Sequence, residues 1–303
     1  MKSMDYPPFI RYYLRNSTPL LWEKLKTAIP ELGEWTITSS SDFLYKESYE
    51  FSDLPGSETG HQRVKYALEH SEVILECHDP SLLSPSSLFT DDKALTSSFV
   101  DDLLALLSVA RGTMVHFVLR EYSNGSNTIN WSAISPFPDD IGISVIGSTK
   151  VPQFVGEALK MICDRNRLPA SGLYTAIPWH GIALRTVGRE PTVFTLALYW
   201  VCLEALANAR NETGKKHRMA LRLLQSLGMT GEDWDNLQEL VKDWYEVRNF
   251  AFHEGRQPEW PISKFILRLK QIRQVTAIAI CHLLVPYGPE ELSALAAQVL
   301  NVP

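Results

Sequence analysis

Cysteine is scarce in this chain, and its four copies stand far apart: Cys77, Cys163, Cys202 and Cys281 form no CxxC pair and no zinc-ligand spacing. That pattern excludes a zinc finger or ribbon and predicts buried free thiols in a reducing compartment. Long apolar runs are missing too. The longest, Val275 to Val285, is broken by His282 and falls short of the ~20 residues a membrane span needs, so no membrane partner is expected. The opening Met1-Lys2-Ser3-Met4-Asp5-Tyr6-Pro7-Pro8 has no continuous apolar stretch of the secretory kind. The expectation is a cytoplasmic protein, with the Asn-x-Ser/Thr triplets at Asn16, Asn124, Asn130 and Asn211 unglycosylated.

Positive charge is also in short supply. The net charge of −6 argues against a generally polybasic nucleic-acid coat. The balance is uneven: residues 191–303 carry 12 Lys+Arg and 12 Asp+Glu, leaving 17 against 23 for residues 1–190. If either part meets RNA, the C-terminal one repels it less. Repeats and low-complexity tracts are absent. What remains is a chain of 303 residues, 45% hydrophobic and 21% charged, long enough for two domains and a substantial core.

Two regimes of patterning divide it. From about Trp35 to Thr149 the composition is strand-like, at Arg63–Glu69, Glu72–Cys77, Val115–Arg120, Thr128–Ile134 and Ile141–Ile146, with a hairpin signal at Asn124-Gly125. One helix is embedded, Phe99 to Ala110, closed by Arg111-Gly112. From about Pro152 helical periodicity takes over. Helices are expected over Phe154–Asp164, Phe194–Ala209, Lys215–Leu227, Trp234–Phe250, Ile262–Leu284 and Pro289–Leu300, with a Gly/Pro-rich loop around Gly172, Pro178 and Gly181. The reading is an α+β N-terminal domain, largely antiparallel β, over residues 1–150; a helix and linker over 151–190; and an all-α bundle over 191–303.

The candidate chemistry lies in pairs of arginine and histidine. A fixed cation beside a group that exchanges protons near neutral pH suits phosphodiester chemistry without a metal. The spacing occurs four times, at Arg63/His70, Arg111/His116, Arg210/His217 and Arg248/His253, so spacing alone decides nothing. The first pair spans a predicted strand end and turn, the second runs from a helix end into a strand, and the third crosses the polar loop Asn211-Glu212-Thr213-Gly214. Only Arg248/His253 is delivered by an amphipathic helix, with Trp244, Val247 and Ala251 at helical spacing and Glu254-Gly255 and Pro258 ending it. A bland reading stays open, in which Arg248 pairs with Glu246 or Glu204 and His253 caps its own helix.

The segment Asp243-Trp244-Tyr245-Glu246-Val247-Arg248-Asn249-Phe250-Ala251-Phe252-His253-Glu254-Gly255 resembles the signature of the HEPN superfamily: an arginine, a polar residue, a short apolar stretch and a histidine. The helix Leu198–Leu206, with Glu204, is similar to the acid-bearing helix beside the motif helix in that fold. The resemblance covers roughly residues 190–300, and the layout looks closest to the abortive-infection HEPN proteins of bacteria. It implies a metal-independent endoribonuclease, a toxin or anti-phage effector, that needs no cofactor. Two chains would form a homodimer with facing motifs. Arg248 would bind the scissile phosphate, His253 would serve as general base or acid for attack by the ribose 2′-OH, and Asn249 would orient either. Expected products are 2′,3′-cyclic phosphate and 5′-OH ends, with DNA spared. Tyr245 and Glu204 are supporting candidates; Glu204 either holds Arg248 or His253 in position or reaches solvent. Lys215, Lys216, His217 and Arg256 are candidates for RNA contact.

Two other readings compete with the nuclease. One is a catalytically idle HEPN binding module, antitoxin-like or partner-binding. In the other, the N-terminal region senses a phage-derived or cellular trigger and regulates the helical domain. Other constellations read as structure. Asp91-Asp92, Asp101-Asp102 and Asp139-Asp140 are adjacent acids whose side chains diverge, Cys77-His78-Asp79 reads as a strand end, and Pro178-Trp179-His180-Gly181 reads as a loop that packs on its own domain or stacks on a base.

Overall fold

The central strand of the N-terminal sheet is Phe9–Arg15 (β1), where Phe9, Ile10, Tyr12, Tyr13 and Leu14 are all buried. A strand apolar on both faces belongs inside a layered structure. In this computed structural model the described residues are 8–43, 57–78, 99–123, 130–133, 145–147, 149–163, 172–187, 192–209, 216–228, 234–256 and 258–300. They form two compact units: residues 1–104 with 115–136, and residues 105–114 with 137–303.

In the first unit, β1 is followed by helix Pro19–Ala28 (α1), whose start is set by Thr18 accepting a hydrogen bond from the Leu21 N–H and by proline in the first turn. Strand Thr36–Ser39 (β2), helix Ser57–His70 (α2), strand Val73–Cys77 (β3), helix Phe99–Arg111 (α3), and strands His116–Ser123 (β4) and Asn130–Ala133 (β5) complete it. The helix α3 begins in this unit and ends in the other. The sheet runs β2-β3-β1-β4-β5, antiparallel throughout.

Register places three charges side by side in this sheet. Arg11 stands opposite Glu76 on β3 and Glu121 on β4. Its guanidinium pairs with both, at 3.0 Å to Glu121, and Tyr13 donates its hydroxyl to Glu121 at 2.9 Å. Burial pushes the Glu121 carboxyl above its ordinary range, and Arg11 only partly offsets it. Burial also pushes Glu76 up, but the Arg11 charge, with a hydrogen bond from His78, more than offsets that and holds it low.

The second unit is helical. It contains Val151–Cys163 (α4), Gly172–Val187 (α5), Val193–Ala209 (α6), Lys216–Ser226 (α7), Trp234–Asn249 (α8), Ile262–Leu284 (α9) and Pro289–Leu300 (α10). Its centre is α6, which carries Glu204 as its only charge, is apolar all round, and packs against α5, α7, α8 and α9. A helix without a polar face has to be enclosed in this way. Among the described residues no helix is long and apolar enough to cross a membrane.

The architecture of an α+β region followed by helices agrees with the sequence reading, and three local expectations are corrected. Arg63–Glu69 is not a strand but part of α2. Val64, Tyr66 and Leu68 mimic strand alternation, yet Val64 and Ala67 are the buried pair, while Tyr66 is 43% exposed. The expected Gly/Pro loop at 172–187 is α5, with Pro178 inside it. Leu173, Ala176, Ile177, His180, Ala183 and Leu184 are buried at helical spacing, and packing on α6 offsets the backbone hydrogen bond that proline removes. The Pro178–Gly181 segment is therefore helical: His180 is fully buried and Trp179 is exposed. Finally, Val145 and Ile146 lie outside any strand, both donating to the Ala110 carbonyl. The rest of that expected strand, Asn124-Gly125, Asp91-Asp92, Asp139-Asp140 and Asp79 lie outside the described residues.

Candidate active site

Arg248 and His253 are five positions apart, and in a continuous α-helix side chains at that spacing diverge by about 140°. The chain solves this by changing helix type. Helix α8 ends at Asn249 and continues as one wider, π-type turn over Phe250–Glu254. Hydrogen bonding from residue i to i+5 brings positions five apart onto one side. Gly255 closes the turn at φ 63°, and the N–H groups of Gly255 and Arg256 both donate to the Phe250 carbonyl. Such a left-handed end suits glycine.

The result is a contact of 3.1 Å between Arg248 Nη1 and His253 Nε2. A guanidinium can only donate, so Nε2 is the acceptor and the ring proton of this state is on Nδ1. The same Nη1 donates to Asn249 Oδ1 at 3.2 Å. Arg248 Nε lies 3.8 Å from Glu204 Oε1 and has no hydrogen-bond partner among the described residues. That pairing is therefore one of charge rather than of a shared proton. Glu204 is itself fixed by Trp200, one turn earlier on α6, whose indole N–H donates to Oε1 at 2.7 Å.

Burial grades outward across the group. Glu204 and Arg248 are mostly covered, with side-chain exposures of 17% and 23%, whereas His253 is exposed. A guanidinium is thus backed by a carboxylate, and a histidine ring stands beside it in solvent. The site's groups are a carboxylate, a guanidinium and an imidazole, a set able to bind an anion and to move a proton beside it.

Of the residues singled out by sequence, Arg248, Asn249, His253 and Glu204 are brought together. Glu204 lies beside Arg248, as both the supporting role and the plain ion pair would have it. Tyr245 reaches the site through Trp200, the rings 5.6 Å apart and tilted by 55°. Arg256 is exposed, paired with Glu254 at 2.6 Å, and lies over the Phe250 ring at 4.7 Å. Lys216 and His217 open α7 and Lys215 lies outside the described residues. Sequence reasoning missed Trp200 and Phe252. The Arg248 guanidinium carbon stands 5.5 Å from the Phe252 ring centroid. Both were findable, since Trp200/Glu204 and Arg248/Phe252 are i,i+4 pairs.

Of the other Arg/His pairs, Arg63/His70 and Arg111/His116 lie among the described residues. Arg63 and His70 both lie on α2, where His70 donates from Nδ1 to the Tyr66 carbonyl at 2.8 Å and stacks on the Tyr66 ring at 4.0 Å. His116 is buried in β4, and the loop between Arg210 and His217 lies outside the described residues. His78 contacts Glu76 at 2.7 Å just beyond the end of β3. Among the described residues no group of three or more His, Cys, Asp or Glu side chains converges. Compared with known proteins, the chain matches no family model, no curated protein and no solved structure.

Proposed function

We propose that this protein is a metal-independent endoribonuclease of HEPN type. The observation that carries the reading is the 3.1 Å contact between Arg248 and an exposed His253, created by a local change of helix type. The resting contact suggests a sequence of events. An incoming phosphate competes with His253 for the guanidinium, since a phosphate oxygen is the stronger acceptor. Release of Nε2 frees its lone pair to take the proton of the ribose 2′-OH. The hydroxyl oxygen then attacks the adjacent phosphorus, the 5′-oxygen of the next nucleotide leaves, and Arg248 stabilises the extra negative charge of the transition state. Protonation of the leaving oxygen completes the step and yields a 2′,3′-cyclic phosphate and a 5′-OH end.

One Arg/His pair supplies one proton-transfer group, while attack and departure call for a base and an acid. A two-fold homodimer with the pairs facing each other provides both. In this reading Glu204 and Asn249 are positioning residues for Arg248. The cellular role is that of a toxin or anti-phage effector, with the N-terminal unit regulating it in response to a phage-derived or cellular trigger. Inducible expression of wild type beside Arg248→Ala, with total RNA examined for new 5′-OH ends, tests the reading. New ends with wild type alone support it. Harmless expression of both, with no new ends on induction or on phage challenge, favours an idle binding module.

A further inference from the structure

Phe252 is the unusual residue of the site. It is 46% exposed, one of eight large apolar side chains left in solvent among the described residues, and it sits between Ala251, which is buried, and His253. Its ring lies 5.5 Å from the Arg248 guanidinium carbon. The widened turn that brings His253 to Arg248 thus also turns an aromatic face outward beside them. Phe250, two residues earlier, is half-buried and covered by Arg256 at 4.7 Å, so of the two phenylalanines only Phe252 offers open surface.

We propose that Phe252 is a stacking platform for an unpaired nucleobase next to the scissile phosphate, which makes single-stranded RNA the substrate class. The inference rests on the nuclease reading for its location and deepens it. Every base has a π-face, so a lone exposed ring beside a phosphate-binding arginine recognises nucleic acid without regard to sequence. It requires the base to be out of the helix, because in an A-form duplex the faces are occupied by neighbouring pairs. Arg248 on the ring and a base on the ring also agree chemically, since the guanidinium prefers an electron-rich π-face and draws the backbone phosphate toward it.

The test is binding, which is independent of cleavage. Fluorescence anisotropy is measured with a 2′-O-methyl RNA oligomer, its duplex form, and a tetrahydrofuran-spacer oligomer of equal length and charge but no bases. Wild type is expected to bind the single strand more tightly than either of the others. Phe252→Ala should weaken single-strand binding by about 5- to 100-fold, the usual range for one aromatic–base stack. Phe252→Trp should retain it, and neither variant should alter binding of the spacer oligomer. Light scattering on each variant tells whether Phe252 serves instead as an interface between copies. Equal affinity of Phe252→Ala and wild type for the single strand, an equal loss on the spacer oligomer, or monomerisation that accounts for the loss would each overturn the proposal. Phe252-dependent binding without any cleavage would uphold the platform and sink the nuclease reading.

Discussion

Replacing Gly255 by alanine isolates the turn on which the site depends. At φ 63° Gly255 occupies the left-handed region, and a Cβ built there meets nothing within 4 Å. The cost of Gly255→Ala is therefore conformational rather than steric, about 1–2 kcal/mol for an L-residue held in that region. Gly181 provides the matched control. It also has open space around a built Cβ and no positive φ, and it lies inside α5, where alanine is favoured over glycine by about 0.5–1 kcal/mol. The same chemical change is thus expected to destabilise at one position and stabilise at the other. Urea unfolding followed by tryptophan fluorescence reads both, since Trp200 and Trp244 are fully buried in the helical unit. Gly255→Ala should lower the midpoint and Gly181→Ala should raise it, with the slope unchanged. If both substitutions shift the midpoint in the same direction, the π-type turn is not held by Gly255 and the account of how His253 reaches Arg248 is wrong.

Other residues give further expectations. Glu204→Gln keeps an acceptor for the Trp200 indole but removes the charge 3.8 Å from Arg248. The gross attraction is about 4 kcal/mol at an effective dielectric of ~20, and after desolvation a net loss of about 1–2 kcal/mol is expected, read by urea unfolding. Burial, and then the charge of Arg273, hold the His180 imidazole down to about 3. Because the unfolded ring titrates near 6.5, stability from this group is fully present above that pH. It is lost at ~1.4 kcal/mol per unit as pH falls toward the folded value, and thermal unfolding of His180→Phe should show a shallower acid dependence than wild type. Arg11→Met strands Glu76 and Glu121 in the sheet and should cost about 3–5 kcal/mol near neutral pH. Protonation of Glu121, already favoured by burial, should shrink that loss in chemical denaturation at lower pH.

The helical unit was far more legible in the sequence than the sheet. Helices α6, α8 and α9 carry long apolar stripes or are apolar throughout, and their ends bear glycine or proline signals, so period and punctuation agree. In α5 they conflict. Its stripe from Leu173 to Leu184 is helical, but Gly172, Pro178 and Gly181 punctuate it like a loop, and tertiary packing on α6 wins over local propensity. In α2, seven residues from Arg63 to Glu69 fit both periods, and only the partners of Val64 and Ala67 in the sheet decide between them. The strand β1 escaped notice because burial on both faces removes alternation, the very signal by which a strand is read. At the site, Arg248, Asn249 and His253 were legible as residues but not as a geometry. A spacing of five fits no ordinary helical face, and nothing in Phe250-Ala251-Phe252 announces a widened turn. The acid Glu204 stood out as the only charge on α6, yet its approach to Arg248 depends on how α6 and α8 pack.

The central claim is that Arg248 and His253 act together on the ribose-phosphate backbone. The direct measurement is in vitro cleavage of a defined single-stranded RNA, beside the same oligonucleotide with one 2′-deoxynucleotide at the cleaved position, by wild type, Arg248→Ala and His253→Ala. Wild type should cut the RNA to 2′,3′-cyclic phosphate and 5′-OH ends and leave the 2′-deoxy position intact. His253→Ala should be slower by about 10²- to 10⁴-fold, the range for loss of a general acid or base, and Arg248→Ala should be impaired as well, with both variants folded by circular dichroism. Cleavage at the 2′-deoxy position, or undiminished cleavage by a folded His253→Ala, would contradict the account.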